Sequence, residues 1–382
     1  MIQSNMKNVI SVSILSVVGA LFVFKYSSRF IPNTFAVLLI VAVYIIGYQV
    51  LSVFLNRLDV NKHAWLNNQR LLLATLGLLI IGSFVVVTIA PDTSRVTRYS
   101  AIVEWIGRWQ AGQFPWGGQT QFAPSGLPFL FMLALPFYYL GNIGYMEVVG
   151  IILFGVILLK FYTQNRAKWL ALLLLVLLPT FYYEILVRSE LFFNMVLIIL
   201  IIVLTEKYLD PQKPNHWFFI LGAFLGLGLS TRSIVGLIYA GYYVYKFRRH
   251  IWQGILFSGF SFLVFGLTLL PFVVENASVF LNEGPFSVQM GYLPTGIAVA
   301  FVLISMTAGW LAFNMDDVFF YEGLLLFFIV VIALLPGAAQ SGLYETIIKD
   351  GFDITYFIFC VPFLLLSAGG QQSVRALNTA NQ

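Results

Sequence analysis

The sequence predicts an all-α polytopic membrane protein with about twelve or thirteen transmembrane or re-entrant helices. Of its 382 residues, 60% are hydrophobic and only 10% are charged, whereas about a quarter of the residues in a soluble domain are charged. Apolar runs close to the ~20 residues that a helix needs to cross a bilayer recur along the whole chain. Because the chain has too little polar surface to cover a soluble fold, we predict one transmembrane domain over residues 1–382.

Twelve segments have the length and composition of membrane spans. They are 8–24, 31–55, 71–90, 143–160, 169–182, 191–205, 217–230, 233–246, 252–273, 293–313, 318–336 and 354–370. Segment 126–141 contains two prolines, so we predict a re-entrant or half-inserted helix there. The first span has no convincing small-residue cleavage site after it and is interpreted as a retained helix rather than a signal peptide. The domain then consists of three N-terminal spans (1–90), a loop (91–125) and the remaining helices (126–370).

Short basic loops predict the orientation. The net charge of +5 comes from Lys and Arg distributed over inter-helix loops, which indicates positive-inside orientation rather than nucleic-acid binding. The basic segments are 56–70, 160–168, 206–217, 246–250 and the tail with Arg375. All of them lie on the cytoplasmic side if 126–141 does not fully cross. The segments predicted on the exoplasmic side are then 91–125, 182–193, 230–233, 275–294 and 337–353.

Cysteine and histidine are too sparse to predict a cofactor site. Cys360 is the only cysteine and cannot form an internal disulfide. The three histidines lie in basic loops, which argues against a His-based metal or haem site. No cofactor follows with certainty, and the acidic residues leave a divalent metal ion as an open alternative.

Asp92 directly follows the apolar span 71–90 and Pro91. One interpretation is local: an Asp before "TSRVTRY" can accept hydrogen bonds from backbone N–H groups and start the next helix. The other is chemical, because a carboxylate at the membrane boundary can take a proton from a hydroxyl group or bind a metal. The two roles can coexist.

An amphipathic interfacial helix is predicted after Asp92. The apolar positions on one of its faces are Val96, Tyr99, Val103 and Ile106. Trp105 and Trp109 are expected to lie at headgroup level as anchors. Arg98 either contacts lipid headgroups or binds the phosphate of a lipid-linked substrate, since Arg forms bidentate bonds to phosphate.

Three further charged residues lie at the ends of predicted spans. Arg188 and Glu190 are two positions apart on a helix and point in different directions. Glu190 either marks a helix N-terminus or takes part in the site. Arg232 lies between two short apolar segments, where an ionisable residue is a functional candidate by default.

These segments together resemble the GT-C glycosyltransferases, multi-span enzymes that use polyprenyl-phosphate-linked sugars. The resemblance covers residues 85–370. The matching features are Asp92, Arg98-Tyr99, "AGQFPWG" (111–117), "FAPSGLPFLF" (122–131), "PTFYYEILVRSELFFNMVLIILII" (179–202), "GAFLGLGLSTRSIVGLIY" (222–239) and "DITYFIFCVPFLLL" (353–366). The chain departs from the family in having three spans before the acidic loop, where one is usual. Its single loop acid, in place of a D-x-D pair, weakens the case for a bound metal.

The resemblance implies transfer of a sugar from a polyprenyl-phosphate donor to an exoplasmic glycan, lipid or protein acceptor, with inversion. It assigns the catalytic base to Asp92 and places the donor phosphate near Arg98, Arg188 and Arg232. Glu190 would orient the acceptor or help hold a metal, and Tyr99 and Trp116 lie in motifs expected to contact substrate. A bacterial inner membrane with the site on its exoplasmic side is the expected location.

Two other functions remain open. A polysaccharide polymerase or ligase would also use undecaprenyl-linked sugars, but the absence of one large late loop argues against it. A non-enzymatic lipid or solute transporter would favour inverted repeats, which the sequence lacks.

Overall fold

The computed structural model describes residues 4–58, 64–118, 120–212, 215–290 and 293–369, and all regular structure in these ranges is helical. The α-helices are α1 Ser4–Phe30, α2 Thr34–Arg57, α3 Gln69–Ile89, α4 Thr97–Gln110, α5 Pro128–Tyr139, α6 Tyr145–Phe161, α7 Asn165–Val176, α8 Pro179–Val187, α9 Leu191–Tyr208, α10 His216–Leu229, α11 Ile234–Phe247, α12 Ile251–Asn282, α13 Pro285–Met290, α14 Thr295–Leu311, α15 Met315–Ile347 and α16 Val361–Gly369. Short 3₁₀ helices cover Ala64–Asn67, Asp92–Ser94 and Ile354–Cys360. The predicted all-α class is confirmed. The basic tail with Arg375 lies outside the described residues.

Six helices of this part of the chain are long and apolar enough to cross a membrane: α1, α2, α3, α9, α12 and α15. A seventh span is formed if α7 and α8, which meet at an angle of 61°, count as one broken helix. The chain is therefore an integral membrane protein with about six or seven such helices, fewer than the twelve or thirteen expected. Most of the other predicted spans coincide with shorter helices. At ~1.5 Å per residue, the twelve residues of α5 reach about 18 Å, well short of the ~30 Å hydrocarbon core.

The two longest helices continue beyond the spans predicted for them. In α12 the backbone leaves helical geometry at Asn276, five residues after Pro271. In α15 it does so at Gly342, six residues after Pro336, where the glycine has φ +82°. Segments 275–294 and 337–353, which the sequence placed in exoplasmic loops, are thus largely helical. In both α12 and α15 the helix continues past the end of the predicted apolar span.

Two compact units divide the chain. The first comprises residues 1–82, 154–184 and 314–382. Within it α1 packs against α2 and α16, and two ion pairs fix α1 at its ends, Lys7 with Asp317 and Lys25 with Asp350, the latter at 2.5 Å. Burying these lysines is tolerated because each has a carboxylate partner.

The second unit comprises residues 83–153 and 185–313 and contains every predicted site residue. Its core is aromatic: Trp105 stacks on Phe131 with ring centroids 4.2 Å apart, and Trp116 packs edge-on against Phe280 at 5.2 Å. Trp105 is completely buried, so its predicted role as a headgroup anchor is wrong. Trp109, four residues on, is 41% exposed. The helix predicted after Asp92 is present as α4, and its buried face packs against protein.

Candidate active site

The turn between α8 and α9 brings the predicted charged residues together. Its residues Arg188, Ser189 and Glu190 are consecutive and almost completely buried. Each of the three side chains contacts a different predicted residue. The contacts are Arg188 with Asp92, Ser189 with Arg98 and Glu190 with Arg232. We call residues 188–190 the polar turn.

Arg188 is held in an unusual backbone conformation. Its φ of +57° lies in the left-handed region, which costs a residue with a side chain roughly 1–2 kcal/mol. Its guanidinium donates to the Oδ1 of Asp92 at 3.0 Å and also to the backbone carbonyl of Ala90. A Cβ atom on Gly144 would lie 2.7 Å from the Cβ of Arg188, so only glycine allows this close approach. Strain maintained by several contacts is typical of functional sites.

Asp92 begins the 3₁₀ helix Asp92–Ser94, and its side chain is 71% exposed. The carboxylate lies 2.5 Å from Arg95 and 3.0 Å from Arg188. The N-cap of α4 is Val96, and no side chain caps that helix. The expectation that Asp92 caps the next helix through its side chain is therefore wrong. Two guanidinium groups hold the carboxylate instead, and it remains open to solvent.

Glu190 and Arg232 form a buried ion pair. The guanidinium of Arg232 donates to Oε1 of Glu190, and its Nη1 lies 3.4 Å from the hydroxyl of Ser125. Oε2 of Glu190 and Nε of Arg232 have no hydrogen-bond partner among the described residues. Glu190 occupies the N-cap position of α9 without a side-chain cap bond. The carboxylate of Glu190 therefore binds Arg232 and does not cap α9. Arg188 and Glu190 bind different partners, but they lie in the turn between α8 and α9 and not on one helix as expected.

Arg98 is buried and donates to the hydroxyl of Ser189 at 3.3 Å. The sequence analysis missed Ser189, because a serine between two charged residues carries no pattern of its own. Ser189 lies between Arg188 and Glu190, so its hydrogen bond with Arg98 brings Arg98 next to these two predicted residues.

A cavity of about 570 Å³ lies beside Arg95, which pairs with Asp92. The lining residues are Arg95, Tyr99, Ser100, Val103, Glu104, Gln121, Phe122, Tyr138, Gly141, Asn142 and Ile143. Small-molecule sites generally have volumes of about 300–1,000 Å³. Arg95 also pairs with Asp92. The Arg95 side chain therefore lines the cavity and contacts the exposed carboxylate as well.

Two charged residues shape this cavity and were not among the predicted site residues. The guanidinium of Arg95 lies 4.5 Å from the centroid of the Tyr99 ring, a cation–π contact. The carboxylate of Glu104 accepts from the backbone N–H groups of Gln121 and Phe122, at 2.7 and 3.0 Å. Glu104 therefore holds the loop 120–122 against α4. Glu104 lies on α4, whereas Arg95 precedes that helix. Sequence patterns do not indicate which ring or loop either residue contacts.

The two aromatic residues predicted to bind substrate are placed differently. Tyr99 lines the cavity. Trp116 lies in the aromatic core, almost completely buried, and its indole N–H has no partner among the described residues. It packs against Phe272 with ring centroids 4.9 Å apart.

The donor set for a metal ion does not fit the site. Among the described residues, no group of three or more His, Cys, Asp and Glu side chains could hold a metal ion. Asp92 and Glu190 are each bonded to arginine, which competes with a cation for the same oxygens. We therefore derive no step through a metal.

Comparison with protein families, with curated proteins and with solved structures finds no match for this chain.

Proposed function

We propose that this protein is a GT-C-type membrane glycosyltransferase that moves a sugar from a polyprenyl-phosphate donor to a glycan, lipid or protein acceptor. The observation that supports it most is the convergence on the polar turn. Asp92 and Arg98, which are six residues apart, and the distant Arg232 contact three consecutive residues of that turn. An exposed carboxylate backed by buried guanidinium groups suits a reaction that needs both a base and cations for a leaving phosphate.

The proposed reaction is a single inverting displacement. The acceptor oxygen attacks the anomeric carbon of the donor sugar while the bond from that carbon to the phosphate oxygen breaks. Asp92 takes the proton of the acceptor hydroxyl, and the electron pair of the broken bond leaves with the polyprenyl phosphate. Asp92 is suited to this role because its carboxylate is exposed, and Arg188 and Arg95 fix its orientation.

The leaving phosphate requires positive charge that is already in place. Arg95 is the most accessible candidate because it lines the cavity and its side chain is 28% exposed. Arg98 and Arg232 are buried and could act electrostatically without direct contact. A direct role for Arg232 requires the phosphate to share it with Glu190, whose carboxylate holds it in this structure.

The cavity beside Asp92 is the proposed position of the reacting sugars. Its wall combines the charged groups of Arg95 and Glu104 with the rings of Tyr99 and Phe122. Such a mixture of apolar faces and oriented polar groups is typical of ligand sites. A site in a membrane protein suits a lipid-linked donor, because such a donor reaches its enzyme by lateral diffusion in the bilayer. We place the site on the exoplasmic side of a bacterial inner membrane, following the charge distribution of the loops.

The test is turnover by the purified protein in proteoliposomes supplied with a panel of polyprenyl-phosphate sugars and acceptor extracts. We expect release of the polyprenyl phosphate and a product of inverted anomeric configuration, measured by mass spectrometry and NMR. Asp92→Asn should abolish the release, while Asp210→Asn, the same change at an exposed acid outside the site, should leave it intact. Addition of repeating units would indicate a polymerase, and movement of the intact donor across the membrane would indicate a transporter. Either of those results would replace the proposal.

A further inference from the structure

A second cavity lies in the other unit and contains none of the predicted site residues. Its volume is about 350 Å³, within the range of small-molecule sites. It lies among α1, α2, α7 and α16. Its lining residues are Asn8, Val9, Val12, Gln49, Ser52, Val53, Asn56, Arg57, Arg166, Ala167, Leu170, Ala368 and Gly369.

The interior of this cavity is polar although the helices around it are apolar. Asn8 donates to the carbonyl of Ala368 at 2.6 Å and accepts from Asn56 at 3.2 Å. Gln49 donates to the hydroxyl of Ser16 at 3.1 Å. Amides are costly to bury and must find partners, and here they line an open space. Amide and hydroxyl groups within or beside spans therefore surround a volume that a polar group can enter.

Two arginines at this cavity have no acidic partner among the residues that the structure describes. Arg57 is the last residue of α2, is exposed, and makes no hydrogen bond or ion pair with any described residue. Arg166 donates to the backbone carbonyl of Asn56 at 3.0 Å, which leaves its charge uncompensated within the described ranges. Asp59, the nearest acid to Arg57 in sequence, lies outside those ranges. Two guanidinium groups at one cavity, neither paired with a described carboxylate, favour an anionic ligand.

The rest of the lining includes four aliphatic side chains, those of Val9, Val12, Val53 and Leu170. A ligand that fits both kinds of lining carries an anionic head and a hydrocarbon part. Its lining includes Arg57, the last residue of α2, and Arg166, in the first turn of α7. The cavity therefore reaches the boundary between these helices and the basic segments 56–70 and 160–168. Basic pockets between membrane helices at this level bind anionic lipid headgroups.

We propose that this cavity binds the phosphate of an anionic membrane phospholipid between Arg57 and Arg166. The planar guanidinium groups would take the phosphate oxygens, Asn56 and Gln49 would face the polar head, and an acyl chain would lie along the aliphatic side chains. The site is independent of the proposed glycosyl transfer, and a donor lipid is not required for it.

The experiment is native mass spectrometry of the delipidated full-length protein titrated with phosphatidylglycerol, phosphatidylcholine or inorganic phosphate. We expect saturable binding of one phosphatidylglycerol, with much weaker binding of phosphatidylcholine. The double variant Arg57→Gln/Arg166→Gln should weaken it by about tenfold or more for each guanidinium lost. Arg70→Gln is the matched control, because Arg70 is an exposed cation of the same basic segment that does not line the cavity.

A second variant, Ser52→Leu, distinguishes loss of the binding site from loss of the fold. Ser52 is a buried lining residue, and leucine there would fill the cavity without changing any charge. We expect this variant to keep the melting temperature of the wild type and to lose the bound lipid. Equal weakening by Arg70→Gln, or full retention of lipid by both the double variant and Ser52→Leu, would overturn the proposal. Saturable inorganic phosphate binding that displaces the lipid would assign the cavity to free phosphate and overturn the lipid assignment.

Discussion

Nη1 of Arg188 lies 3.0 Å from Oδ1 of Asp92, a residue 96 positions earlier in the chain. The partners differ sharply in burial: the arginine side chain is 2% exposed and the aspartate side chain 71%. The pair therefore connects the buried polar turn to a carboxylate that is open to solvent. In the proposed reaction Arg188 is a positioning residue, because it fixes the orientation of the Asp92 carboxylate without itself contacting the reacting atoms.

Asp92→Asn separates the chemical role of this carboxylate from a structural one. Asparagine cannot act as a base, so we expect turnover to fall about a hundredfold or more. The melting temperature should change little, because the side chain is mostly exposed and does not cap α4. Turnover is measured as release of polyprenyl phosphate, with Asp210→Asn as the control. Wild-type turnover by the asparagine variant would exclude Asp92 as the base.

Substitutions of Arg188 test the backbone strain in the polar turn. Glycine adopts a positive φ without steric cost, so Arg188→Gly should be more stable than Arg188→Ala by about 1 kcal/mol. Both variants lose the contacts to Asp92 and Ala90, so their difference isolates the backbone. At Ile152, an exposed position within α6, the order should reverse, with alanine more stable by about 0.5–1 kcal/mol. Reversible unfolding in denaturant measures all four variants, and an alanine variant more stable at both positions would contradict the strained geometry.

The pair Glu190–Arg232 should behave as a buried ion pair. Either single change, Arg232→Met or Glu190→Leu, leaves a charge without its partner and should cost roughly 3–5 kcal/mol of unfolding free energy. The double variant should recover most of that loss, because similar-sized apolar residues often replace a buried pair at little cost. Additive single effects would show that the two side chains do not interact.

The same pair distinguishes structure from donor binding. Arg232→Lys keeps the charge but loses the planar fork. If the donor phosphate also contacts Arg232, this variant should weaken donor-lipid affinity more than it lowers the melting temperature. A lower melting temperature with unchanged affinity would assign Arg232 to structure, and the phosphate role would pass to Arg95 and Arg98.

The sequence predicted the membrane class and the positions of most helices because hydropathy and length determine both. It also singled out the charged residues beside apolar spans, because a charge there is rare enough to stand out, and their role in a site stays a prediction. It could not predict their partners: Arg232 and Glu190 are 42 positions apart, and the sequence pattern gives no distance between them.

Helix length was less predictable than helix position. Polar residues after Pro271 and Pro336 indicated loops, yet both helices continue, with breaks only at Asn276 and Gly342. A hydropathy pattern shows where the apolar segment of a helix ends. The helix itself can continue beyond that point, because it ends only where its backbone hydrogen bonds end. The predicted headgroup position of Trp105 was wrong because a tryptophan on an amphipathic helix suits a headgroup layer and an aromatic core equally well.

Cysteine labelling tests the predicted orientation. Gln113 and Gln212 are both exposed and lie in segments predicted on opposite sides of the membrane. A cysteine at Gln113 should react with an impermeant reagent added to intact cells, and one at Gln212 should react only after the membrane is opened. Cys360 is completely buried and should give little background. Labelling of position 212 in intact cells would reverse the orientation.

The cavity beside Asp92 is tested by filling it. Ser100 lines the cavity on α4 and is only partly buried, so Ser100→Trp places a large ring in the space without removing a charged group. We expect KM for the acceptor to rise roughly tenfold or more, equivalent to about 1.4 kcal/mol of lost binding, with donor-lipid affinity and melting temperature close to those of the wild type. Gln110→Trp is the control, because it adds the same ring at an exposed position of the same helix outside the cavity. Loss of donor affinity in place of acceptor affinity would assign the cavity to the donor sugar. Unchanged kinetics in Ser100→Trp would mean that neither substrate occupies the cavity, and the role of Arg95 beside the leaving phosphate would have to be abandoned with it.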